Sequence, residues 1–155
     1  MTVPAVRPTR SIPSMSKAAI GLVGRLEAHA LTQPQATIAT HHVLHGGLYA
    51  RTILIPARTQ LTGALVDIAT TIIVSGDCTV SLGDGRAERL VGYQVLPAHG
   101  RRKQAYFAHA DTHLTMVFAT SAKSVQAAED EFTAEAHKLM SRQRGHANTV
   151  VITGR

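Results

Sequence analysis

The histidines of this chain fall mainly in two tight groups, and histidine is the side chain that most readily ligates metal or moves a proton near neutral pH. The first group is His41, His42 and His45, in HHVLH. Successive residues of a strand face opposite sides, so His41 and His42 cannot share a site there. The group reads as a solvated strand end. The second group is His109, Asp111 and His113, in HADTH. Alternate spacing on an extended chain would put all three on one face, as a metal or acid–base site requires. The central Asp-Thr reads as a turn, which breaks that face. His109 and His113 nonetheless remain the best pocket candidates, with a core-orienting role as the other reading of His109.

The remaining reactive types form no constellation. Asp67, Asp77, Asp84 and Glu88 make no carboxylate pair, and Asp77 and Asp84 sit at turns, where Asp bonds its own backbone. No serine stands in a nucleophile elbow, and Cys78 has no cationic neighbour in sequence to activate it. As the one cysteine it reads as a small buried apolar residue. Gly83-Asp84-Gly85 lacks the lysine and helix of a phosphate loop. The densest positive run is Gly100-Arg101-Arg102-Lys103. It reads as a solvated loop tip, and phosphate, DNA or an acidic protein surface is what Arg101, Arg102 and Lys103 could meet. No catalytic residue, metal site or cofactor follows from these patterns.

The elements that carry these residues belong to one domain of a 155-residue chain. Hydrophobic content is 45%, and mean hydropathy is near zero, as in globular proteins. No apolar run reaches the roughly 20 residues of a membrane helix, and Arg7 and Arg10 precede no apolar signal core. Cytosolic synthesis without membrane insertion is the expectation. The formal charge is +6, and Glu129, Asp130, Glu131 and Glu135 concentrate the acids in one late segment, leaving the remainder more basic. That balance could favour a polyanion. The 4% aromatic content and absence of Trp argue against nucleic acid, because stacking platforms are missing.

Residues 1–13 carry three prolines and no helical period, and are expected to form an extended or disordered arm. Ser14 or Ser16 caps a helix, and Ile20, Val23, Leu26, Ala30 and Leu31 recur at helical spacing until Gln33-Pro34. From Thr37 the period becomes two. About nine short strands follow to about residue 120, separated at Gly46-Gly47, Pro56, Gly76-Asp77, Gly83-Asp84-Gly85 and similar breaks. This predicts a mainly β sandwich or barrel. A second helix over 124–144 has Val125, Ala128, Phe132, Ala136, Leu139 and Met140 on its apolar stripe. The domain thus spans 14–144, and 145–155 form a C-terminal arm.

The stretches LYARTILIPARTQLTGAL, IIVSGDCTV, LVGYQVLPAHGRRKQAYFAHADT and LTMVF resemble the cupin-like double-stranded β-helix, a small jelly roll. More narrowly they are similar to small cupin-like proteins of tailed bacteriophages and prophages. There an "ARTI-IPAG-LTGAL" block, a "SGD" turn, a "GYHVLP" block and an "AHADT" block recur in this order. The resemblance covers about the central half of the chain. It implies a jelly roll between the two flanking helices, and enzymatic members hold Fe, Mn or Zn with histidines and a glutamate. Val66, Ala69 and Thr70 stand at the matching ligand positions, and the last histidine is due near Lys103. None of these suits a metal.

The resulting expectation is a phage- or prophage-encoded, non-catalytic jelly roll without a cofactor. It would act as a structural or interaction module, in the host cytoplasm or the virion, with other phage or host proteins as partners. A host-directed, anti-defence binding protein working through the basic loop is one alternative, and a metal enzyme with an atypical site at His109 and His113 is another. Thr149, Val150, Val151 and Ile152 are too apolar and β-prone for a free tail. They are expected to leave their own barrel and pair with a neighbouring copy in a homo-oligomer.

Overall fold

The computed structural model describes residues 10–154. The chain builds a helix α1 (Lys17–Ala30), seven strands, a helix α2 (Val125–Phe132) and a final strand. The strands are β1 (Thr40–His45), β2 (Leu48–Ile55), β3 (Gln60–Thr62), β4 (Thr70–Gly83), β5 (Arg86–Ala98), β6 (Ala105–Ala108), β7 (Thr112–Ala119) and β8 (Asn148–Ile152). Their order is β3-β6-β4-β7-β2-β1-β8, with β5 on β4. All pairings between them are antiparallel except β1 with β8.

The long β4–β5 hairpin makes this one curled sheet. One edge of β4 pairs with β7 over Thr71–Ser75 and with β6 over Cys78–Val80. The change of partner falls at Gly76 and Asp77. Inward positions keep a period of two through it, from Thr70, Ile72 and Val74 to Cys78 and Val80, and both halves pack into one core cluster. Tyr49, Ile55, Leu90, Leu96, Phe118 and Phe132 fill that core. This is the mainly β jelly roll with two flanking helices that the sequence predicts.

Four expectations change. Gly76-Asp77 does not separate two strands, and β5 runs through Gly92. Gly76 and Gly92 face each other in register. Gly76 (φ +148°) stands so close to Thr112 that a Cβ would lie 2.6 Å from its Oγ1. Glycine here lets a paired strand pass against Asp111 and Thr112 instead of ending it. The Asp84-Gly85 turn does form, with φ of 53° and 72°, the left-handed pair that suits a two-residue hairpin.

The second change is the C-terminal helix, which ends at Phe132 instead of near 144. Thr133 is extended, Asp67 N donates to Phe132 O, and Ala134 N donates to Asp67 Oδ2. The loop before β4 thus takes over the helix end, and two single 3₁₀ turns follow at Ala136–Lys138 and Met140–Arg142.

The third concerns the N-terminal arm, of which residues 1–9 lie outside the described residues. Ile12 is buried and bridges Ala98, with Ile12 N donating to Pro97 O and His99 N to Ile12 O. This part is docked. It feeds α1, capped by Ser16 Oγ accepting from Ala19 N, whose Met15–Ala19–Val23 face forms a small second cluster.

The fourth is the C-terminal strand. Thr149 to Ile152 do not leave their own barrel: β8 lies parallel to β1 of the same chain, from Thr40↔Asn148 to Leu44↔Ile152. The residues between the last 3₁₀ turn and Asn148 suffice to bring it back, with Gly145 at φ +80° in the return. Buried His42 accounts for the register. Its two ring nitrogens lie 2.7 Å from Tyr49 Oη and 2.8 Å from Asn148 Oδ1. His42 is therefore a hydrogen-bonded core residue and no part of a solvated strand end.

Candidate functional site

The barrel has a cavity of about 160 Å³. Its walls come from β2 (Arg51, Ile53), the β3 region (Leu61, Val66), β4 (Ile72), β7 (Leu114, Met116) and Phe132 of α2. Alternation along β2, β4 and β7 puts Ile53, Ile72, Leu114 and Met116 inward, so these walls follow from the period-two pattern. Four basic residues join them: Arg51, Arg102, Lys103 and Lys138.

Arg102 and Lys103 correct the sequence reading of a solvated basic loop. Arg102 is 1% exposed and Lys103 6%, and of the three only Arg101 faces solvent. The loop folds in because backbone carbonyls receive it. Arg102 Nη1 donates to Ile68 O (3.2 Å) and His99 O (2.7 Å), and Nη2 donates to Thr70 Oγ1 (2.7 Å). Val66 and Arg102 exchange two backbone hydrogen bonds. Gly100 makes this possible, since a Cβ there would strike Asp67 O at 2.6 Å. Lys103 Nζ donates to Glu27 Oε2 (2.8 Å) on α1 and to Gly63 O (3.0 Å).

Charge at the cavity is unevenly balanced. Arg51 Nη1 meets Glu129 Oε2 at 2.8 Å, Lys103 meets Glu27, and Lys138 meets Glu135 at 3.2 Å. Arg102 has no carboxylate against it, and its Nε–H is buried without an acceptor among the described residues. Burial accordingly pushes its guanidinium below its ordinary pKa.

Glu129 has the opposite surroundings. Burial alone would raise its carboxyl, but hydrogen bonds from Ser141 and Arg142 and the charge of Arg51 outweigh burial and hold it low. This network ties the segment after α2 to β2. Sequence reading missed it, because the apolar stripe of the second helix masked a buried carboxylate inside it.

His109 and His113 do not come together in the cavity. His109 is exposed, its Nε2 2.7 Å from Thr79 Oγ1, with its ring edge against Phe107. His113 is exposed on β7 opposite Leu54 and Ser75. Asp111 between them accepts from Ala57 N, and Thr112 is buried under Gly76. Cys78 is fully buried, and burial raises its thiol to about 11, with Asp77 adding to the shift, so it is no nucleophile. Among the described residues no three His, Cys, Asp or Glu side chains gather as a metal site.

A metal of the kind held by enzymatic cupins does not fit the residues present. Val66 offers only methyl groups to the cavity, Ala69 is exposed, and the hydroxyl of Thr70 is engaged by Arg102. A fixed guanidinium beside the ligand position repels a cation.

No protein-family model matches the chain, and no curated protein does. Solved structures do. A cupin-superfamily protein from Desulfitobacterium hafniense DCB-2 is 9% identical with a TM-score of 0.45, over 57% of this chain and 83% of that one. The cupin domain of an XRE-family transcriptional regulator from Enterobacter cloacae is 12% identical, with a TM-score of 0.45, over 56% of this chain and all of the other. Ectoine synthase from P. lautus is 14% identical, with a TM-score of 0.49, over 64% and 75%. The jelly-roll fold itself is read from the chain's own strand order and pairing. Identities this low say nothing of activity.

Proposed function

We propose that the chain is a non-catalytic cupin-like module that works by binding, encoded by a tailed bacteriophage or prophage. The observation that carries the non-catalytic reading is the engagement of Thr70, at a family ligand position, by the buried cation Arg102. Metal chemistry needs donors there, and the chain supplies methyl groups, one occupied hydroxyl and a positive charge. The phage origin rests on the order of the LTGAL, SGD, GYQVLP and AHADT blocks.

A role inside a larger assembly, in the virion or the host cytoplasm, suits the surface. Val91, Tyr93 and Val95 alternate outward on β5, and Val150, Val151 and Ile152 are exposed on β8 at the end of the sheet. Open strand edges with apolar side chains favour self-association, so the module is proposed to be a homo-oligomer. An anti-defence role acting through the basic loop loses support, since two of its three charges are buried.

Metal analysis of protein expressed with added Fe, Mn, Ni and Zn tests the non-catalytic reading, and a stoichiometric metal would overturn it. Mass spectrometry of purified virions tests the particle role, which fails if the protein is absent from them.

A further inference from the structure

We propose that the barrel cavity binds a small organic monoanion, a carboxylate on a compact apolar body, with Arg102 as the group that selects the charge. The inference deepens the reading of the chain as a binding module and rests on it.

Two independent observations meet at one place. The first is electrostatic. Three bases at the cavity each have a carboxylate within ion-pair distance: Arg51 with Glu129, Lys103 with Glu27, Lys138 with Glu135. Arg102 is the exception. Its guanidinium is 1% exposed, bonds only neutral acceptors, and keeps a buried Nε–H unpaired among the described residues. A buried charge without a counter-charge is costly, and an anion entering the cavity relieves that cost. The two Nη atoms of Arg102 already donate to Ile68 O, His99 O and Thr70 Oγ1, so the Nε–H is the donor left for a carboxylate oxygen.

The second is steric. The cavity holds about 160 Å³, and its walls are mostly aliphatic and aromatic. An apolar cavity of about 150 Å³ takes a molecule of benzene. A single ring or short branched chain therefore fits, whereas a nucleotide or sugar phosphate exceeds the space. Inorganic phosphate or acetate would leave the apolar walls uncovered, so affinity should grow with the apolar body.

Isothermal titration calorimetry of the full-length protein with benzoate, acetate and neutral benzyl alcohol tests this. Benzoate should bind saturably, with Kd at or below about 1 mM, and at least tenfold more tightly than either of the others. Arg102→Met should weaken benzoate at least tenfold and leave benzyl alcohol unchanged. Because Arg102→Met removes a buried hydrogen-bonding group and could unfold the chain, Ala64→Leu is the second variant. It narrows the cavity and leaves the guanidinium in place, and it should abolish benzoate binding. The proposal is overturned if benzoate does not bind, if benzyl alcohol binds as tightly, or if Ala64→Leu leaves benzoate affinity unchanged. None of these outcomes bears on the metal content, so failure here is distinct from failure of the non-catalytic reading.

Discussion

Arg102 reaches back 32 positions in sequence to place its Nη2 2.7 Å from Thr70 Oγ1, so that a buried arginine and a buried threonine close the loop after β5 onto the start of β4. The hydroxyl is the one side-chain oxygen the guanidinium uses, since its other oxygen partners are the carbonyls of Ile68 and His99. Replacing it leaves a charged donor without an acceptor.

Thr70→Val should therefore destabilise the protein by about 1–3 kcal/mol, the cost of a buried charged donor losing its partner. Thr70→Ser keeps the oxygen and should cost clearly less. Urea denaturation of the two variants measures the difference, and equal costs would mean that packing of the methyl group, not the hydrogen bond, is what Thr70 contributes.

Gly76 and Gly92 face each other in the β4–β5 hairpin but are not equivalent. A Cβ on Gly76 would lie 2.7 Å or less from Asp111 O, Thr112 Cα and Thr112 Oγ1, whereas one on Gly92 meets nothing within 4 Å. Gly92→Ala should cost about 1–2 kcal/mol, for its left-handed φ of 78° alone. Gly76→Ala adds a backbone clash and should cost about 3 kcal/mol or more. The reverse order in thermal denaturation would contradict the branching of the sheet at Gly76.

Acid should weaken the fold in two stages. Burial lowers the pKa of His42, outweighing the hydrogen bond to Asn148, and the Glu129 carboxyl is also held low. For a group whose folded pKa is depressed, the stability is present above the unfolded pKa and is lost as pH falls through the folded one. His42 should begin to cost stability below about pH 6.5, and Glu129 below about pH 4. His42→Gln should flatten the upper stage in a pH series of melting temperatures, and Glu129→Gln the lower one. A profile unchanged by both variants would refute the assignment.

Deleting residues 147–155 removes β8, strips the partner from one edge of β1, and takes Asn148 from the ring of His42. Stability should fall by about 1–3 kcal/mol or more, since a buried ring nitrogen is left unpaired. Light scattering should find the intact chain oligomeric and the truncated chain smaller. A monomeric intact chain at high concentration would sink the homo-oligomer, and an oligomer of unchanged mass would move its contacts from β8 to another face such as Val91–Val95.

The β character of the chain was legible from its residues because strand alternation is local. Ile72, Val74, Cys78 and Val80 point inward at every second position whatever their partners are. Asp84-Gly85 was legible for the same reason, since a left-handed turn needs residues that tolerate positive φ. The poverty of side-chain metal donors at Val66, Ala69 and Thr70 was equally plain, because the side chains of valine and alanine carry no lone pair in any fold. Only the tertiary structure decided which side of the surface the charges occupy. Arg101, Arg102 and Lys103 look alike in a row, yet two are buried, because all their partners but His99 O, namely Ile68, Thr70, Glu27 and Gly63, stand dozens of residues earlier in the chain. The same holds for His42 and Glu129, polar residues carried inward by Tyr49, Asn148, Arg51 and Arg142. Burial of a charge is a property of what folds over it, and pairing between distant segments carries no trace in local spacing.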